Sequence, residues 1–146
     1  HDLEIFYNSP KGQAAVAGRS LYLLRNADTK AKGLGFALAG NFYPDFLLWL
    51  VDDATGKQWL SFVDPKGIRQ MGLNDPKFGL YQEVKVLQEK LGDSNLVLNA
   101  FILSATDFSN LLNVTCTEQD LEERHLLFMG PEKQSTYLGK MFERMN

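Results

Sequence analysis

The stretch YPDFLLWLVDDATGKQWLSFVDPKG, Tyr43 to Gly67, decides how the chain is read. Its first arm, Tyr43 to Val51, is rich in aromatic and aliphatic residues that suit a half-buried pleated strand. Asp52-Asp53-Ala54-Thr55-Gly56-Lys57 then supplies turn chemistry, because Asp caps nearby backbone N–H groups and Gly accepts positive φ. The second arm runs from Gln58 to Asp64. Two such arms predict an antiparallel hairpin, which brings Asp64 back to the end where Asp45 began. Side chains two apart on a strand share a face, so a strand continuing through Pro65 aims Asp64 and Lys66 together. Asp64-Pro65-Lys66-Gly67 equally has the composition of a type I turn, with Asp first, Pro second and Gly fourth. In that conformation the two side chains diverge, so Pro65 separates a site from a turn.

Outward from the hairpin, Ser20 to Arg25 has the composition of a strand, and the opening residues around Leu3, Ile5 and Phe6 suit an apolar helix or strand. Between them and the hairpin, Asn26 to Gly40 carries Gly33, Gly35 and Gly40 among Ala and Lys. Neither GxGxxG nor GK[ST] occurs, which excludes the familiar nucleotide-binding loops; the glycines predict a bend through which backbone can approach a phosphate. Beyond the hairpin, Ile68 to Leu73 reads as a loop. Asn74-Asp75-Pro76 starts a helix predicted over Pro76 to Leu91, with an apolar stripe of Tyr81, Val84, Leu87, Gln88 and Leu91 and a stop at Gly92.

Asn95 to Ala105 is a nearly continuous apolar run of strand length, expected where both faces are covered. Strand, helix and strand in succession imply a crossover and a parallel or mixed sheet. Thr106 or Asp107 caps a short turn reaching Leu112, Thr117 opens a further helix, and His125 to Met129 predicts another strand. Ser135 to Met145 predicts a closing amphipathic helix with Tyr137, Leu138, Met141, Phe142 and Met145 on its core side. The fold class expected is α/β, a mixed β-sheet flanked by helices, in a single domain spanning residues 1–146.

A chain of 146 residues with 45% apolar and 23% charged composition belongs to the globular class rather than the disordered one. Apolar runs such as Phe46 to Val51 are too short to cross a bilayer and no leader opens the chain, so the expectation is a cytoplasmic protein without a membrane partner. The single Cys116 forms no internal disulfide and stands in no metal-ligand cluster. Net charge is −3, yet Lys plus Arg against Asp plus Glu is 11 to 10 over residues 1–92 and 4 to 8 over residues 93–146. The excess of acid is therefore C-terminal. Lys11, Arg19, Arg25, Lys30 and Lys32 form a locally basic stretch, and Arg25, Lys30 and Lys32, just before the hairpin, are the candidates for phosphate contacts.

Two carboxylates and an amine at one end of a hairpin have a definite chemistry. Mg²⁺ takes oxygen ligands and only one or two protein carboxylates, keeping its other positions for water and phosphate oxygens. Asp45 and Asp64 meet that requirement, and the backbone carbonyl of Pro65 offers a third oxygen. Lys66 is placed to orient water or offset charge on a phosphate. No Ser-His-Asp or Cys-His pairing is readable, which turns the reading from acyl transfer toward metal-assisted phosphodiester hydrolysis.

Pro44-Asp45 with Asp64-Pro65-Lys66, on the two strands of a hairpin followed by a helix and a buried strand, resembles the PD-(D/E)xK nuclease superfamily, whose restriction-endonuclease-like core runs α-β-β-β-α-β. LYLLRNADTKAKGLGF, GNFYPDFLLWL, FVDPKGI and LNAFILSATDF look like the C-terminal nuclease region of type III restriction-type DEAD/DEAH-like helicase subunits, over roughly residues 20–108. The resemblance implies Mg²⁺-dependent DNA cleavage, with Mn²⁺ able to substitute, Asp45 and Asp64 as metal ligands and Lys66 as the catalytic lysine. It also implies a helicase or ATPase motor in the same protein or complex, since no motor motif is present here. Many members add an acid from the first helix, for which Glu4 and Asp2 are the candidates. Some use a polar residue on the helix after the hairpin, where Gln82 and Lys85 stand with solvent-facing roles as the simpler expectation. Two alternatives stay open from the sequence: a nuclease-like fold kept without catalysis for DNA binding or subunit docking, and a structure-specific enzyme acting on branched DNA.

Overall fold

The structure is a computed structural model that describes residues 1–26, 44–130 and 136–146. Two short helices, α1 (Asp2–Tyr7) and α2 (Pro10–Val16), precede strand β1 (Ser20–Arg25). The apolar opening is thus helical. Ser9 caps α2 through its hydroxyl with Pro10 in the first turn, and Gly12 is required there because a Cβ would lie 1.8 Å from the Phe6 carbonyl oxygen.

Strands β2 (Phe46–Val51) and β3 (Gln58–Lys66) form the predicted hairpin, and β3 extends two residues beyond the expected Asp64. The turn works as its residues suggest. Asp52 Oδ1 accepts from the N–H groups of Ala54 and Thr55 at 3.0 and 3.4 Å, and Gly56 sits at φ +75°. Next come a 3₁₀ turn (Pro76–Gly79), α3 (Leu80–Leu91), β4 (Leu96–Ser104), a second 3₁₀ turn (Phe108–Asn110), α4 (Glu118–Glu123), β5 (Leu126–Phe128) and α5 (Tyr137–Met145). Thr117 and Asp120 close α4 with a reciprocal capping box.

The sheet order is β1-β2-β3-β4-β5. The first three strands are antiparallel neighbours, while β3 and β4, and then β4 and β5, run parallel. The chain crosses from β3 to β4 through α3, as two parallel strands require. Alternation along the strands builds a core on each side of the sheet. Leu48, Leu50, Val63, Phe101 and Leu103 pack with Phe6, Val16 and the α5 residues Leu138, Met141 and Phe142. Phe62, Leu98, Ala100 and Ile102 pack on the opposite face with Phe78, Leu80, Val84 and Leu121. All five expected α5 residues are buried, so that helix is core. Among the described residues, no helix is long and apolar enough to cross a membrane.

The stripe of α3 is largely the expected one: Val84 is buried, Leu87 packs on the core, Tyr81 faces His125 and Gln88 accepts the Leu98 N–H, with Leu80 joining them on the same face. Leu91 alone departs, 55% exposed as the last residue of the helix before the Gly92 cap.

Candidate active site

The hairpin register fixes the first relation in the site. Phe46 pairs with Val63, so one step further Asp45 stands opposite Asp64, and directly opposed residues share a face of the sheet. One more step puts Pro44 opposite Pro65. The Asp52 N–H donates to the Lys57 carbonyl at 2.9 Å, and this parity makes Pro44 and Pro65 the next position at which the strands would exchange hydrogen bonds. Neither proline has an N–H. The ladder therefore stops by chemistry, and the Pro65 carbonyl faces a neighbour with no donor to give. Asn26 ties down the start of β2, its N–H donating to the Asp45 carbonyl at 2.7 Å and its side-chain amide to the Pro44 carbonyl at 2.9 Å.

On its other edge β3 does not stop. Asp64, Pro65 and Lys66 pair with Ile102, Leu103 and Ser104 of β4, and the Ala105 N–H donates to the Lys66 carbonyl at 2.8 Å. Beyond it the Ile68 N–H donates to Thr106 Oγ1 at 3.1 Å. Parallel pairing thus holds the strand extended through Pro65, and the turn alternative is not adopted. Asp64 and Lys66 consequently share a face, with Nζ 3.2 Å from Oδ2.

Burial sets the electrostatics. Asp64 is 4% exposed, and its Oδ2 is buried without an aligned hydrogen-bond donor, so the Lys66 contact is an ion pair of distance rather than direction. Desolvation pushes the Asp64 carboxyl above the ordinary carboxylate range, against the pull of Lys66 and with the Asp45 charge adding to the rise. Burial acts against the Lys66 ammonium too, but a hydrogen bond with the Lys77 amine and the charges of Asp64 and Asp45 outweigh it and hold Lys66 above its usual range. Lys77 shifts the other way, lowered by burial and by the bond to Lys66.

The oxygen set suits a hard divalent cation. It comprises the exposed Asp45 carboxylate, the buried Asp64 oxygen without an aligned donor, and the Pro65 carbonyl facing the end of the ladder. Among the described residues, no cluster of three or more His, Cys, Asp or Glu side chains occurs; the protein's share of such a site is two carboxylates and a carbonyl.

Other expected residues fall elsewhere. Lys30 and Lys32 lie outside the described residues. Arg25 is an exposed residue ending β1, opposite Phe46. Arg19 is consumed structurally: its guanidinium donates to the Val16 and Ala15 carbonyls and to Asn146, and lies 4.5 Å from the Trp59 ring centre. Asp2 accepts from the Tyr137 hydroxyl at 2.9 Å and lines an apolar cavity of about 330 Å³ with the Pro65 ring, Val63 and Leu103. That is the face opposite Asp64. Glu4 is exposed on α1 and Gln82 on α3. Lys85 is half-buried rather than solvent-facing; its amine donates to Gln88 Oε1, which also accepts the Leu98 N–H at 2.8 Å.

Lys77 is the residue that sequence reasoning missed. It stands on the 3₁₀ turn, eleven positions beyond Lys66, and its charge lowers the Asp64 pKa against the rise from burial. One signal was present, since Asp75-Pro76-Lys77 repeats the tripeptide Asp64-Pro65-Lys66.

No family model, curated protein or solved structure matches the chain.

Proposed function

We propose that the chain is a metal-dependent endonuclease domain that hydrolyses DNA phosphodiester bonds. The observation that carries the reading is the straight passage of β3 through Pro65, which sets Lys66 3.2 Å from a buried Asp64 while the register sets Asp45 opposite. The strand order supports the narrower reading as a restriction-endonuclease-like core, because an antiparallel hairpin followed by a helical crossover to a parallel strand is the order the resemblance implies.

Asp45, Asp64 and the Pro65 carbonyl would hold Mg²⁺, for which Mn²⁺ substitutes; the ion supplies Lewis-acid polarisation of a phosphate oxygen. The chain's own residues do the rest. Lys66, kept cationic by its acidic neighbours, offsets negative charge that builds on the phosphate during attack. Burial of Asp64 keeps competing water from one side of the site and fixes the direction from which Lys66 approaches. Neither described histidine offers a rival site. His125 is stacked on Phe101 with Nδ1 3.1 Å from the Ala100 carbonyl, and burial lowers its pKa to about 4; His1 lines the cavity on the opposite face.

With no motor motif in the chain, the cutting module works beside a helicase or ATPase, as in a restriction or defence system. The test is cleavage of supercoiled plasmid with Mg²⁺ by wild type and by Asp64→Ala. Metal-dependent nicking that Asp64→Ala abolishes supports the reading. Salt-sensitive DNA binding by wild type with no cleavage replaces it with a non-catalytic binding module.

A further inference from the structure

We infer that the outer edge of β1 is a self-association surface, on which a second copy of the chain adds its own β1 antiparallel about a two-fold axis at Leu23. The inference is independent of the nuclease reading.

Three observations converge on it. First, the edge is apolar and unguarded. Among the described residues β1 has a strand neighbour on one side only, and Tyr22, Leu23 and Leu24 are 53%, 49% and 46% exposed. Sheets ordinarily protect such an edge with Lys, Pro or a bulge. From Leu21 to Leu24 none of these occurs, and the register with β2 runs unbroken from Ser20 to Arg25.

Second, the outward backbone groups match themselves. The Asn26 N–H donates to the carbonyl of Asp45 directly opposite. Alternation therefore gives Leu24, Tyr22 and Ser20 to β2 and turns the N–H and C=O groups of Leu21, Leu23 and Arg25 outward. These three are spaced evenly about Leu23. A copy rotated by 180° about an axis normal to the sheet opposes Leu23 to the partner's Leu23 and Leu21 to the partner's Arg25, so that every outward group meets its complement. On the other face of the sheet the same register sets Tyr22 against the partner's Leu24.

Third, charge favours a copy of this chain over an unrelated strand. Leu21, Leu23 and Arg25 pair with Leu50, Leu48 and Phe46, which places them on the face covered by α1. There Leu3, Glu4 and Tyr7 of α1 line a groove of about 280 Å³ together with Leu21 and Leu23. The register carries the partner's Arg25 to Leu21, beside the exposed Glu4. Two symmetry-related acid–base contacts thus flank an apolar centre, and the exposed Ile5 and Tyr7 extend the patch onto α1. One strand and the lip of a short helix make a small interface, for which a dissociation constant of about 1–100 µM is expected.

The experiment is sedimentation velocity on the full chain from about 1 to about 300 µM, a range that brackets that constant. Wild type should pass from monomer to dimer. Leu23→Lys, which sets two ammonium groups together at the axis, should stay monomeric, and Val86→Lys, at a comparably exposed position on α3, should dimerise as wild type does. Glu4→Arg and Arg25→Glu should each weaken association about tenfold, and the two combined should return it to within about threefold of wild type. The register has its own readout. In a Cys116→Ser background under mild oxidation, Leu23→Cys should cross-link two copies, because directly opposed Cα atoms lie about 5.5 Å apart, whereas Tyr22→Cys, out of register with itself, should not. Should Leu23→Lys fail to fold, the charge exchange and the cross-link decide. Wild type that is monomeric throughout overturns the inference and assigns the edge to another segment or partner. A dimer that survives Leu23→Lys, single charge reversals without effect, or equal cross-linking from positions 22 and 23 overturns it as well.

Discussion

Asp64-Pro65-Lys66 and Asp75-Pro76-Lys77 are the same three residues folded in two ways. In the first, side chains two apart on a strand share a face, so acid and amine meet at 3.2 Å. In the second, Asp75 turns back to accept the Lys77 N–H at 2.9 Å, Pro76 begins a 3₁₀ turn, and the lysine is left to reach outward. Neighbours make the choice. Asp64 lies within strand β3 with β4 alongside, whereas Asp75 follows the loop Gly72-Leu73-Asn74. The difference teaches what to look for in a carboxylate. One that caps backbone is spent on the fold, and one buried beside an amine without an aligned donor is a candidate for holding a ligand.

The largest test of that distinction is catalytic. Asp64→Ala and Lys66→Ala should each lower Mg²⁺-dependent cleavage by about 10³-fold in single-turnover assays. Asp75→Ala should cost far less, because it loosens the placement of Lys77 without removing any group from the site. Equal losses at Asp64 and Asp75 would break the comparison. Stability should then sort the two acids in the opposite order. Asp75→Ala loses a cap and should lower unfolding free energy by about 1 kcal/mol in urea titrations. Asp64→Asn, measured with EDTA present, should raise the thermal midpoint, because burial disfavours the charged carboxylate in the folded state and the neutral amide escapes that cost. A lower midpoint would mean that the Lys66 ion pair outweighs desolvation. The smallest effects belong to the prolines. Pro65→Ala and Pro76→Ala should each cost about 0.4–1 kcal/mol through the unfolded chain, and Pro65→Ala should leave cleavage near wild type, since the carbonyl remains.

The sequence carried the hairpin well, because Asp52, Gly56 and the apolar arms are local signals and the turn length sets the register that opposes Asp45 to Asp64. It could not carry the state of Pro65. Asp64-Pro65-Lys66-Gly67 favours a turn by itself, and only pairing with Leu103 and Ser104, nearly forty residues away, holds it extended. The stripe of α3 was legible because its period is local, but its first turn was not: a 3₁₀ start over Pro76–Gly79 and an α-helical start look alike in sequence. Basic character was legible as composition but not as use: Arg19 counted toward a locally basic stretch, yet its guanidinium serves backbone carbonyls and Trp59. Lys77 was overlooked because convergence of two lysines from different elements leaves no trace in spacing.

The facing prolines have a consequence for measurement. Pro44 and Pro65 carry no exchangeable amide hydrogen, so the facing pair that ends the hairpin ladder is silent in hydrogen–deuterium exchange. Its opening is reported instead by the flanking amides of Asn26 and Ala105, bonded to the Asp45 and Lys66 carbonyls. Slow exchange at both would show that the outer bonds of β2 and β3 stay closed while the hairpin end is free of a ladder bond.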